Sequence, residues 1–557
     1  MKRFLSLDDF ATEDMIVRVL TKERAKVDVN QKKGARLSSL AEQLFFMMPP
    51  KPMWTRPGKG MRPKKSGRST DKWTYSRKIS DTRIYLTIKK ARSINSEVQW
   101  LKNLDTYVLR IKELIRNPES FCFQTPDIYK VFKKRDKIGN FIYRPICVYS
   151  DLDTKVIMSI LYKYLLDVLD GCFHRNMLFM RASREGKSFN YTECISRAKK
   201  YRKNHEKENI YVGECDIQTF YDILNHDKAI GCFNELLAMR ASQQGVDISS
   251  YSKPLALLEK YLSSYDFYHQ VWMKNSDKSE WTSEERKIIR QQAKGGVGIE
   301  KPVCKFKWLS DDEFIASGCY DKESLQRAKE EGKLGIPQGG SLSGLIVNVV
   351  MQCVDDDIVR EKDEGRFFVR YCDDILLMHT DKEKCEQYLE TYFRNLKKYC
   401  LVPHPAKNVS DSKHGCRTLQ SFWKDSKSKS VYLWGKGEGN ASEWIGFVGY
   451  EMSRSGEIRI RKDKIDEFHK KIAHKYYQVI HSKGGDPAKN LSKFDKLSSK
   501  ILDYEMATTG SRSSINQAQH LDKYLKYRYF KAAKMLRVKD PGEPVTFEQT
   551  VKQCVNQ

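Results

Sequence analysis

The stretch VRYCDDILLMH, residues 369–379, places two adjacent aspartates between apolar segments. The β-branched and other apolar residues on both sides predict two short buried strands joined by a tight turn. One interpretation is a simple hairpin turn, because Asp is a common turn residue. The other is a metal site, because carboxylates at such a turn supply the hard oxygen ligands that Mg²⁺ prefers. The metal site requires a third carboxylate elsewhere in the chain.

A third carboxylate follows a second apolar segment, in YVGECDIQTFYDIL at residues 211–224. Asp216 stands where this predicted strand ends and a helix begins. A lone Asp at such a position is usually a helix cap. Facing the turn of Asp373 and Asp374, it would complete a site for two divalent cations of the kind that catalyses in-line phosphoryl transfer. The three aspartates are therefore candidate metal ligands and catalytic residues.

The composition indicates a globular protein with a polyanionic partner. Of the 557 residues, 40% are hydrophobic and 11% aromatic, and the formal net charge is +28. This positive excess favours nucleic acid as the partner, and the alternative is a basic solvated surface. The fourteen cysteines include no C-x-x-C pair, which argues against a zinc ribbon. Several lie in apolar segments, which predicts buried thiols in a reducing compartment.

The location of the protein is predicted from its N-terminal residues and from its longest apolar run. The N-terminal MKRFLSLDDF is too polar for a signal peptide. The longest apolar run, LIVNVVMQCV at residues 345–354, is too short to span a bilayer. We therefore expect a cytoplasmic protein without a membrane partner.

Three segments occur in the order of the palm motifs of reverse transcriptases: CDIQTFYD at 215–222, GIPQGGSLSGLIVN at 335–348 and RYCDD at 370–374. The second is the most specific, because Pro-Gln-Gly followed by Ser-x-Ser and a later Asn is rarely met by chance. Three weaker matches extend the resemblance over about residues 130–460. They resemble the fingers motif, the segment with the palm lysine and the primer-grip hairpin: RPI at 144–146, HPAKN at 404–408 and GFVGY at 446–450.

This resemblance implies an α+β fold, a right-hand polymerase with fingers, palm and thumb. It implies an RNA-directed DNA polymerase, a nucleotidyltransferase that uses an RNA template and dNTPs, makes DNA and requires Mg²⁺ or Mn²⁺. Asp216, Asp373 and Asp374 look like the metal-binding triad of the family, with Asp374 as a supporting member.

The resemblance also implies a nucleotide site. Arg144 and Lys137 look like fingers groups that clamp the triphosphate through charge-assisted contacts. Gln338 and Gly339 look like the segment beneath the incoming nucleotide and template. The full set of implied nucleotide-binding residues is Lys137, Arg144, Ile217, Tyr221, Gln338 and Gly339.

Two further residues receive individual roles from the resemblance. Tyr221, five residues after Asp216, resembles the aromatic that blocks a ribose 2′-OH, which favours dNTPs as substrates. Asp222 is one residue too late to match the acid that RNA-making relatives carry. The alternative for Tyr221 is a core aromatic on the helix. Lys407 is the candidate that protonates the pyrophosphate and joins the aspartates as a catalytic residue.

The chain is expected to have three parts. Residues 1–125 are a helical N-terminal extension with a basic arm at 51–70, in which Trp54 and Trp73 are candidate stacking groups. Residues 126–460 are the fingers and palm, with a polar insertion at about 240–330, and residues 461–557 are a helical thumb and basic C-terminal region. Candidate nucleic-acid contacts in the third part are Lys464, Lys471, Lys475, Lys526 and Arg528.

Two segments carry these last candidates. The helix at 462–482 resembles a thumb that follows a duplex by its backbone. The segment 521–537 interleaves Tyr and Phe with Lys and Arg, which suits stacking on single-stranded nucleic acid. The alternative for this segment is a tail helix with its aromatics in the core and its lysines outside.

The type of reverse transcriptase is inferred from what surrounds the motifs. No Cys/His cluster follows the predicted thumb, no VTG segment follows the palm, and no RNase H or integrase portion fits beyond residue 460. The chain therefore resembles the stand-alone bacterial "unknown group" enzymes, which act in antiphage defence, many with a dedicated noncoding RNA. The alternatives are a group II intron-like or retron-like reverse transcriptase and, from another class, a non-catalytic RNA-binding scaffold on a polymerase fold.

Overall fold

The computed structural model describes residues 4–32, 38–62, 72–135, 141–181, 191–274, 304–306, 308–409, 427–437 and 439–460. The helices in these ranges are α1 Leu7–Phe10, α2 Glu13–Lys32, α3 Ser39–Met47, α4 Lys72–Ser93, α5 Gln99–Arg116, α6 Leu152–Leu169, α7 Tyr191–Asn204, α8 Phe220–Ile223, α9 His226–Gln244, α10 Ser252–Ser263, α11 Asp311–Ala316, α12 Lys322–Glu330, α13 Ser341–Val359 and α14 Lys382–Lys398. The strands are β1 Asp127–Arg135, β2 Phe141–Val148, β3 Tyr211–Cys215, β4 Cys304–Phe306, β5 Arg366–Tyr371, β6 Asp374–His379, β7 Ala406–Lys407, β8 Ser428–Trp434, β9 Ala441–Ser442, β10 Trp444–Phe447, β11 Tyr450–Ser453 and β12 Ile458–Ile460.

The central sheet has the strand order β5-β6-β3-β8-β7, with β9 paired to β8. Strand β6 lies between β3 and β5 and is antiparallel to both, and the three strands form where the apolar segments around the three aspartates predict them. In β6 the residues from Ile375 to His379 are all buried. A strand buried on both faces reads as a continuous apolar run, which explains the ILLM that follows the aspartates.

Helix α13 is the most deeply buried helix that touches the active-site segments. The apolar run at 345–354 forms its middle, and Leu345, Val349 and Val350 are fully buried. The two polar residues of this run, Asn348 and Gln352, share one side of the helix and are also buried, and Asn348 donates a 2.6 Å hydrogen bond to the Phe179 carbonyl. Among the described helices, none combines the length and apolar character needed to cross a bilayer.

Two smaller sheets flank the central one. Strands β1 and β2 form an antiparallel hairpin, and β4 adds to β2 in parallel. The sequence of residues 123–150 predicts two strands around a turn near Gly139 and Asn140, and that turn lies outside the described residues. Strands β10, β11 and β12 form the third sheet, where the segment EWIGFVGYEMSRSGEIRIR predicts a hairpin. Its Ile445 and Met452 pack in one apolar cluster with Leu376 of β6.

The N-terminal residues fold into α1 to α5. In α5 the apolar residues recur every three or four positions and are buried against neighbouring helices, as an amphipathic helix requires. Trp54 is not available for stacking on nucleic acid, in contrast to the prediction. Its ring is buried, its Nε1 donates a 2.9 Å hydrogen bond to the Pro49 carbonyl, and the guanidinium of Arg24 lies 5.1 Å from its centre. Residues 63–71 and the side chain of Trp73 lie outside the described set.

Part of the segment 240–330, which is predicted to be an insertion, packs in the main core, and its assignment as an insertion stays a prediction. Helix α10 buries Leu257, Leu258, Tyr261 and Leu262 in the main apolar cluster. Its apolar residues occupy one face at helical spacing, a pattern that the many charged residues around it obscure in the sequence. Residues 275–303 lie outside the described set.

Candidate active site

The turn between β5 and β6 carries two of the three candidate carboxylates. Tyr371 pairs with Asp374 at the end of the hairpin, so Cys372 and Asp373 form the turn itself. Cys372 has a φ of 61°, a left-handed conformation that is uncommon for a residue with a side chain. The two-residue turn thus places Asp373 and Asp374 together at the end of the sheet.

Arg370 supports this turn from within the core. Its side chain is fully buried, Nη1 donates a 2.8 Å hydrogen bond to the Cys372 carbonyl, and Nε donates one of 2.6 Å to Asp355 on α13. A buried Arg–carboxylate pair is costly to separate, because each charge would be left without a partner in a medium of low dielectric. The turn is therefore tied to the helix that follows the Pro-Gln-Gly segment.

The third carboxylate reaches the same place through β3. Cys215 pairs with Ile375 across the antiparallel strands β3 and β6. Continuing this register by one residue places Asp216 beside Asp374. The sheet therefore brings together three carboxylates that lie far apart in the sequence.

Strand β8 supplies the immediate surroundings of Asp216. Lys427 Nζ lies 2.7 Å from Asp216 Oδ2, and His404 Nε2 lies 4.0 Å from the same oxygen. The Ser428 hydroxyl accepts a 3.1 Å hydrogen bond from the backbone N–H of Asp216 and donates one of 3.3 Å to its carbonyl. The backbone of Asp216 is thereby fixed to β8, and its carboxylate faces an ammonium group.

The three carboxylates repel one another. Burial and the negative charge of Asp216 raise the pKa of Asp373. The side chain of Asp374 reaches the surface, but protein atoms crowd its carboxyl group, and this desolvation together with Asp373 and Asp216 raises its pKa to about 7. Lys427 acts in the opposite direction on both groups. Mutual repulsion of this kind is relieved by a bound cation.

The donor set fits a divalent cation. Asp216, Asp373 and Asp374 supply hard carboxylate oxygens, which Mg²⁺ and Mn²⁺ prefer over nitrogen and sulfur. Within the described ranges, no three His, Cys, Asp or Glu side chains are grouped closely enough to hold a metal ion as they stand.

Tyr221 lies next to the hairpin turn. Its hydroxyl is 3.9 Å from Cys372 Sγ, and its side chain is half-buried against the core. Burial raises the pKa of Tyr221 far above the usual range, so the phenol is neutral. Tyr221 thus stands beside the turn that carries the candidate metal ligands Asp373 and Asp374. The gate role itself stays a prediction.

Gln338 connects the turn region to β2. Its backbone carbonyl accepts a 2.9 Å hydrogen bond from the N–H of Cys147, and its Nε2 donates one of 2.7 Å to Asp222 Oδ1. Gly339 has a φ of 112°, and a Cβ at this position would lie 3.3 Å from the side chain of Ile146. Glycine is therefore required here both for its backbone conformation and for close approach to β2.

The position of Asp222 in the motif argues against the role of the acid that RNA-making relatives carry. In the structure its carboxyl group accepts a hydrogen bond from Gln338. Burial raises its pKa to about 7, while the hydrogen bond from Gln338 and the charges of Lys133 and Arg144 lower it. The carboxyl group holds the amide of Gln338 in place. The sequence gives no signal for this contact, because it joins residues from two separate motifs.

The predicted triphosphate clamp is described in part. Arg144 is exposed on β2. Its positive charge lowers the pKa of both Asp222 and Tyr221, so its guanidinium lies close to the segment that contains Gln338 and Gly339. Lys137 lies outside the described residues, as do the predicted nucleic-acid contacts Lys464, Lys471, Lys475, Lys526 and Arg528.

Two predicted residues have positions that restrict their roles. The Ile217 side chain is buried in the main core, so any contact that Ile217 makes with a nucleotide must come from its backbone. Lys407 is exposed on β7, which pairs with β8, so one strand separates it from β3 and Asp216. The role of Lys407 in proton transfer is not tested by this placement.

Sequence reasoning missed Lys427 and Ser428. A usable signal was present, because Lys427 and Lys429 alternate in KSKSVYLW as Glu214 and Asp216 alternate in GECD. Positive charges at every second residue of one predicted strand and negative charges at every second residue of another indicate that the two strands are neighbours in the sheet.

Comparisons with known proteins agree with the motifs. The family model described as "Reverse transcriptase (RNA-dependent DNA polymerase)" matches residues 259–419. This region contains Gln338, Asp373, Asp374 and Lys407 and begins after Asp216. No curated protein sequence matches the chain.

Solved structures of telomerases show a distant likeness. Apo telomerase from Candida tropicalis, truncated from its C-terminal domain, is 13% identical, with 70% of each chain covered and a TM-score of 0.32. Telomerase from Candida albicans with a fragment of telomeric RNA is 11% identical, with 88% of this chain and 74% of that chain covered and a TM-score of 0.31. Likeness at this level carries no argument about the present chain. The family match and the catalytic motifs lead to the conclusion that this chain contains a reverse transcriptase domain and is an RNA-directed DNA polymerase, a nucleotidyltransferase.

Proposed function

We propose that this polymerase adds dNTPs to a growing DNA strand on an RNA template, with Mg²⁺ or Mn²⁺ held by Asp216, Asp373 and Asp374. The observation that carries the proposal is the convergence of these carboxylates at one end of the central sheet, through the pairing of β3 with β6 and of β6 with β5. Divalent cations held by these carboxylates would supply activation of the attacking 3′-hydroxyl and stabilisation of the leaving pyrophosphate.

The residues around the triad support the same chemistry. Arg144, exposed near the nucleotide segment, binds triphosphate oxygens by charge-assisted hydrogen bonds. Gln338, fixed by Asp222 and by β2, supports the nucleotide and template from below. Tyr221 borders the sugar and selects against a 2′-hydroxyl by its bulk. Lys407 is proposed to give a proton to the pyrophosphate.

The parts of a right-hand polymerase are assigned accordingly. In this proposal the central sheet is the palm, the β1–β2 hairpin belongs to the fingers, and the β10–β11 hairpin is the primer grip. Residues 461–557 supply the thumb and the basic C-terminal region. Lysines and arginines there contact phosphates and not bases, so they bind nucleic acid without sequence preference.

The polymerase activity is tested by primer extension on an RNA template with dNTPs and Mg²⁺ or Mn²⁺. Replacing Asp373→Ala together with Asp374→Ala should abolish synthesis, because the cations lose most of their ligands. The same variant should keep the thermal unfolding midpoint and RNA affinity of the unchanged protein. Normal synthesis by this variant would refute the metal assignment. Absence of synthesis by the unchanged protein under all these conditions would favour a non-catalytic RNA-binding scaffold.

The biological setting is the finer part of the proposal. We infer a cytoplasmic bacterial enzyme that works with a dedicated noncoding RNA in antiphage defence, as a stand-alone "unknown group" enzyme does. The support is the arrangement of the sequence, with a net charge of +28 and a long region before the first motif. Sequencing of nucleic acid that remains bound to the purified protein should reveal one dominant RNA. A broad mixture of cellular RNAs would contradict a dedicated partner.

A further inference from the structure

Lys427 makes direct contact with a carboxylate that the proposed function assigns to metal binding. Its Nζ lies 2.7 Å from Asp216 Oδ2. The contact follows from strand register, because Glu214 pairs with Lys429 across β3 and β8, and two further residues place Asp216 opposite Lys427. Cross-strand neighbours on one face of a sheet are separated by about 5 Å between Cβ atoms, which brings an Asp and a Lys within reach.

The backbone on both sides of this contact is fixed. Lys429 and Glu214 form a buried ion pair, and the Tyr432 hydroxyl donates a 2.6 Å hydrogen bond to the same Glu214 carboxylate. Ser428 is hydrogen-bonded to the backbone N–H and carbonyl of Asp216. The strands therefore cannot shift in register without breaking a buried ionic network, and Lys427 stays opposite Asp216.

The Lys427 side chain, in contrast, is able to leave. It is 55% exposed, whereas the Lys429 side chain is 2% exposed. A lysine stem has four rotatable bonds, so an exposed ammonium group can turn into water at small cost. The backbone position of Lys427 is fixed while its charge is mobile, which is the arrangement of a group that occupies a carboxylate reversibly.

An ammonium group and a divalent cation compete for one carboxylate oxygen. They also repel each other, because both are positively charged. We propose that Lys427 is a positioning residue that holds Asp216 Oδ2 and competes with the divalent cation for it, so that it sets the cation concentration at which the site fills. This inference rests on the proposed function, since it requires that Asp216 bind the cation.

The test measures the affinity of the full-length protein for Mn²⁺ alone, without nucleotide or nucleic acid, by electron paramagnetic resonance of the free ion. Lys427→Met keeps the length of the stem and removes the charge. It should tighten Mn²⁺ binding by about three- to tenfold, the range expected for loss of a partly exposed ion pair together with a repelling charge. Lys427→Arg keeps the charge and should bind Mn²⁺ within about twofold of the unchanged protein.

Lys436→Met is the matched control. Lys436 lies just beyond the other end of β8 and forms a surface ion pair of 3.5 Å with Glu443. Its replacement removes one positive charge and one exposed ion pair but should leave Mn²⁺ affinity unchanged. An equal gain in both Met variants would assign the effect to net charge and overturn the inference.

Two other outcomes separate this inference from the proposed function. If Asp373→Ala with Asp374→Ala abolishes Mn²⁺ binding while Lys427→Met leaves the affinity unchanged or weaker, the metal site stands and the competition by Lys427 is refuted. If the double alanine variant binds Mn²⁺ as the unchanged protein does, the titrated site is a different one, and both the metal assignment and the inference are refuted.

Discussion

Glu214 lies in β3 and Asp216 directly follows this strand, and each faces a lysine: Lys429 in β8 and Lys427, which directly precedes β8. Glu214 and Lys429 are buried, and Tyr432 provides a further hydrogen bond to the carboxylate. Asp216 and Lys427 lie at the end of the sheet, where water reaches the lysine. One acid–lysine pair is therefore fixed by burial. The other is exposed, so its lysine can leave the carboxylate and turn into water.

The first pair maintains the register on which the second depends. A buried ion pair contributes little net stability compared with an apolar pair, but it penalises any pairing that leaves one charge alone. A strand shifted by one residue would place Glu214 and Asp216 on the opposite face of the sheet. The buried pair thus specifies where the Asp216 carboxylate stands.

The largest expected effect is the loss of activity when Asp216, the acid of the exposed pair, is changed. Asp216→Asn should lower the rate of DNA synthesis by at least about 10³-fold, because loss of a cation ligand removes roughly 4 kcal/mol of transition-state stabilisation. The variant should unfold at the same temperature as the unchanged protein, or higher, since one of three repelling charges is removed. Single-turnover primer extension and thermal unfolding measure the two effects. Retention of substantial activity would remove Asp216 from the triad.

The second effect separates the two lysines by stability. Lys429→Met should lower the free energy of unfolding by about 3–5 kcal/mol, because it leaves the buried charge of Glu214 without its ionic partner. Lys427→Met should change the same quantity by no more than about 1 kcal/mol, as expected for an exposed pair. Urea unfolding of both variants without metal tests the contrast. Equal losses of unfolding free energy in the two variants would refute the contrast between the buried and the exposed pair.

The loss at Lys429 should be largely recovered by changing its partner as well. Glu214→Gln combined with Lys429→Met removes both charges, and the double variant should be more stable than Lys429→Met alone. A double variant that is less stable than either single one would show that packing, and not charge, dominates at this site.

A third contrast concerns the adjacent residues Tyr221 and Asp222, of which one borders the turn and the other is buried. Tyr221→Val should raise the ratio of kcat/KM for ribonucleotides to that for deoxynucleotides by about 10- to 100-fold, since a smaller side chain admits the 2′-hydroxyl. Tyr221→Phe is the control, because it keeps the ring and should leave the ratio near that of the unchanged enzyme. An unaltered ratio in Tyr221→Val would exclude the gate role.

The last effect is expected at Asp222 and depends on pH. Its pKa is about 7 in the folded protein and near 3.8 in the unfolded chain, so the folded state holds a proton that the unfolded state releases. Stability should therefore fall as pH rises from about 4 to about 7, by at most ~1.4 kcal/mol per pH unit, and then level off. In Asp222→Asn this contribution should be absent. Urea unfolding across that range compares the two, and identical pH dependence would refute the raised pKa.

Much of the site could be predicted from the sequence because the signals are local. The apolar runs around Asp216 and around Asp373 and Asp374 predict three strands, and these strands are present in β3, β5 and β6. The Pro-Gln-Gly segment predicts a turn that opens a helix, and Gly339 and α13 have this arrangement. Local backbone preference and the order of motifs were sufficient for these features.

Predictions that depend on burial were less secure. Trp54 was predicted to be an exposed stacking group but is buried between helices, because the sequence of a basic Gly- and Pro-rich segment does not show what packs against it. The sequence of the segment 240–330 also gave no sign that α10 within it contributes to the main core, and the assignment of this segment as an insertion stays a prediction. A four-residue apolar face suffices for a core helix when neighbours are present, and those neighbours come from distant parts of the chain.

The sequence by itself determined the chemistry of this protein: three carboxylates at strand ends, a nucleotide segment and a strong positive charge that together specify a polymerase of nucleic acid. Only the tertiary structure decided which residues act on those carboxylates. The pairing of β3 with β8 places Lys427 on Asp216, and the packing of β5 against α13 places Arg370 beneath the catalytic turn. Strand register and helix packing are set by burial across the whole core, so contacts between distant segments are not encoded in any one of them.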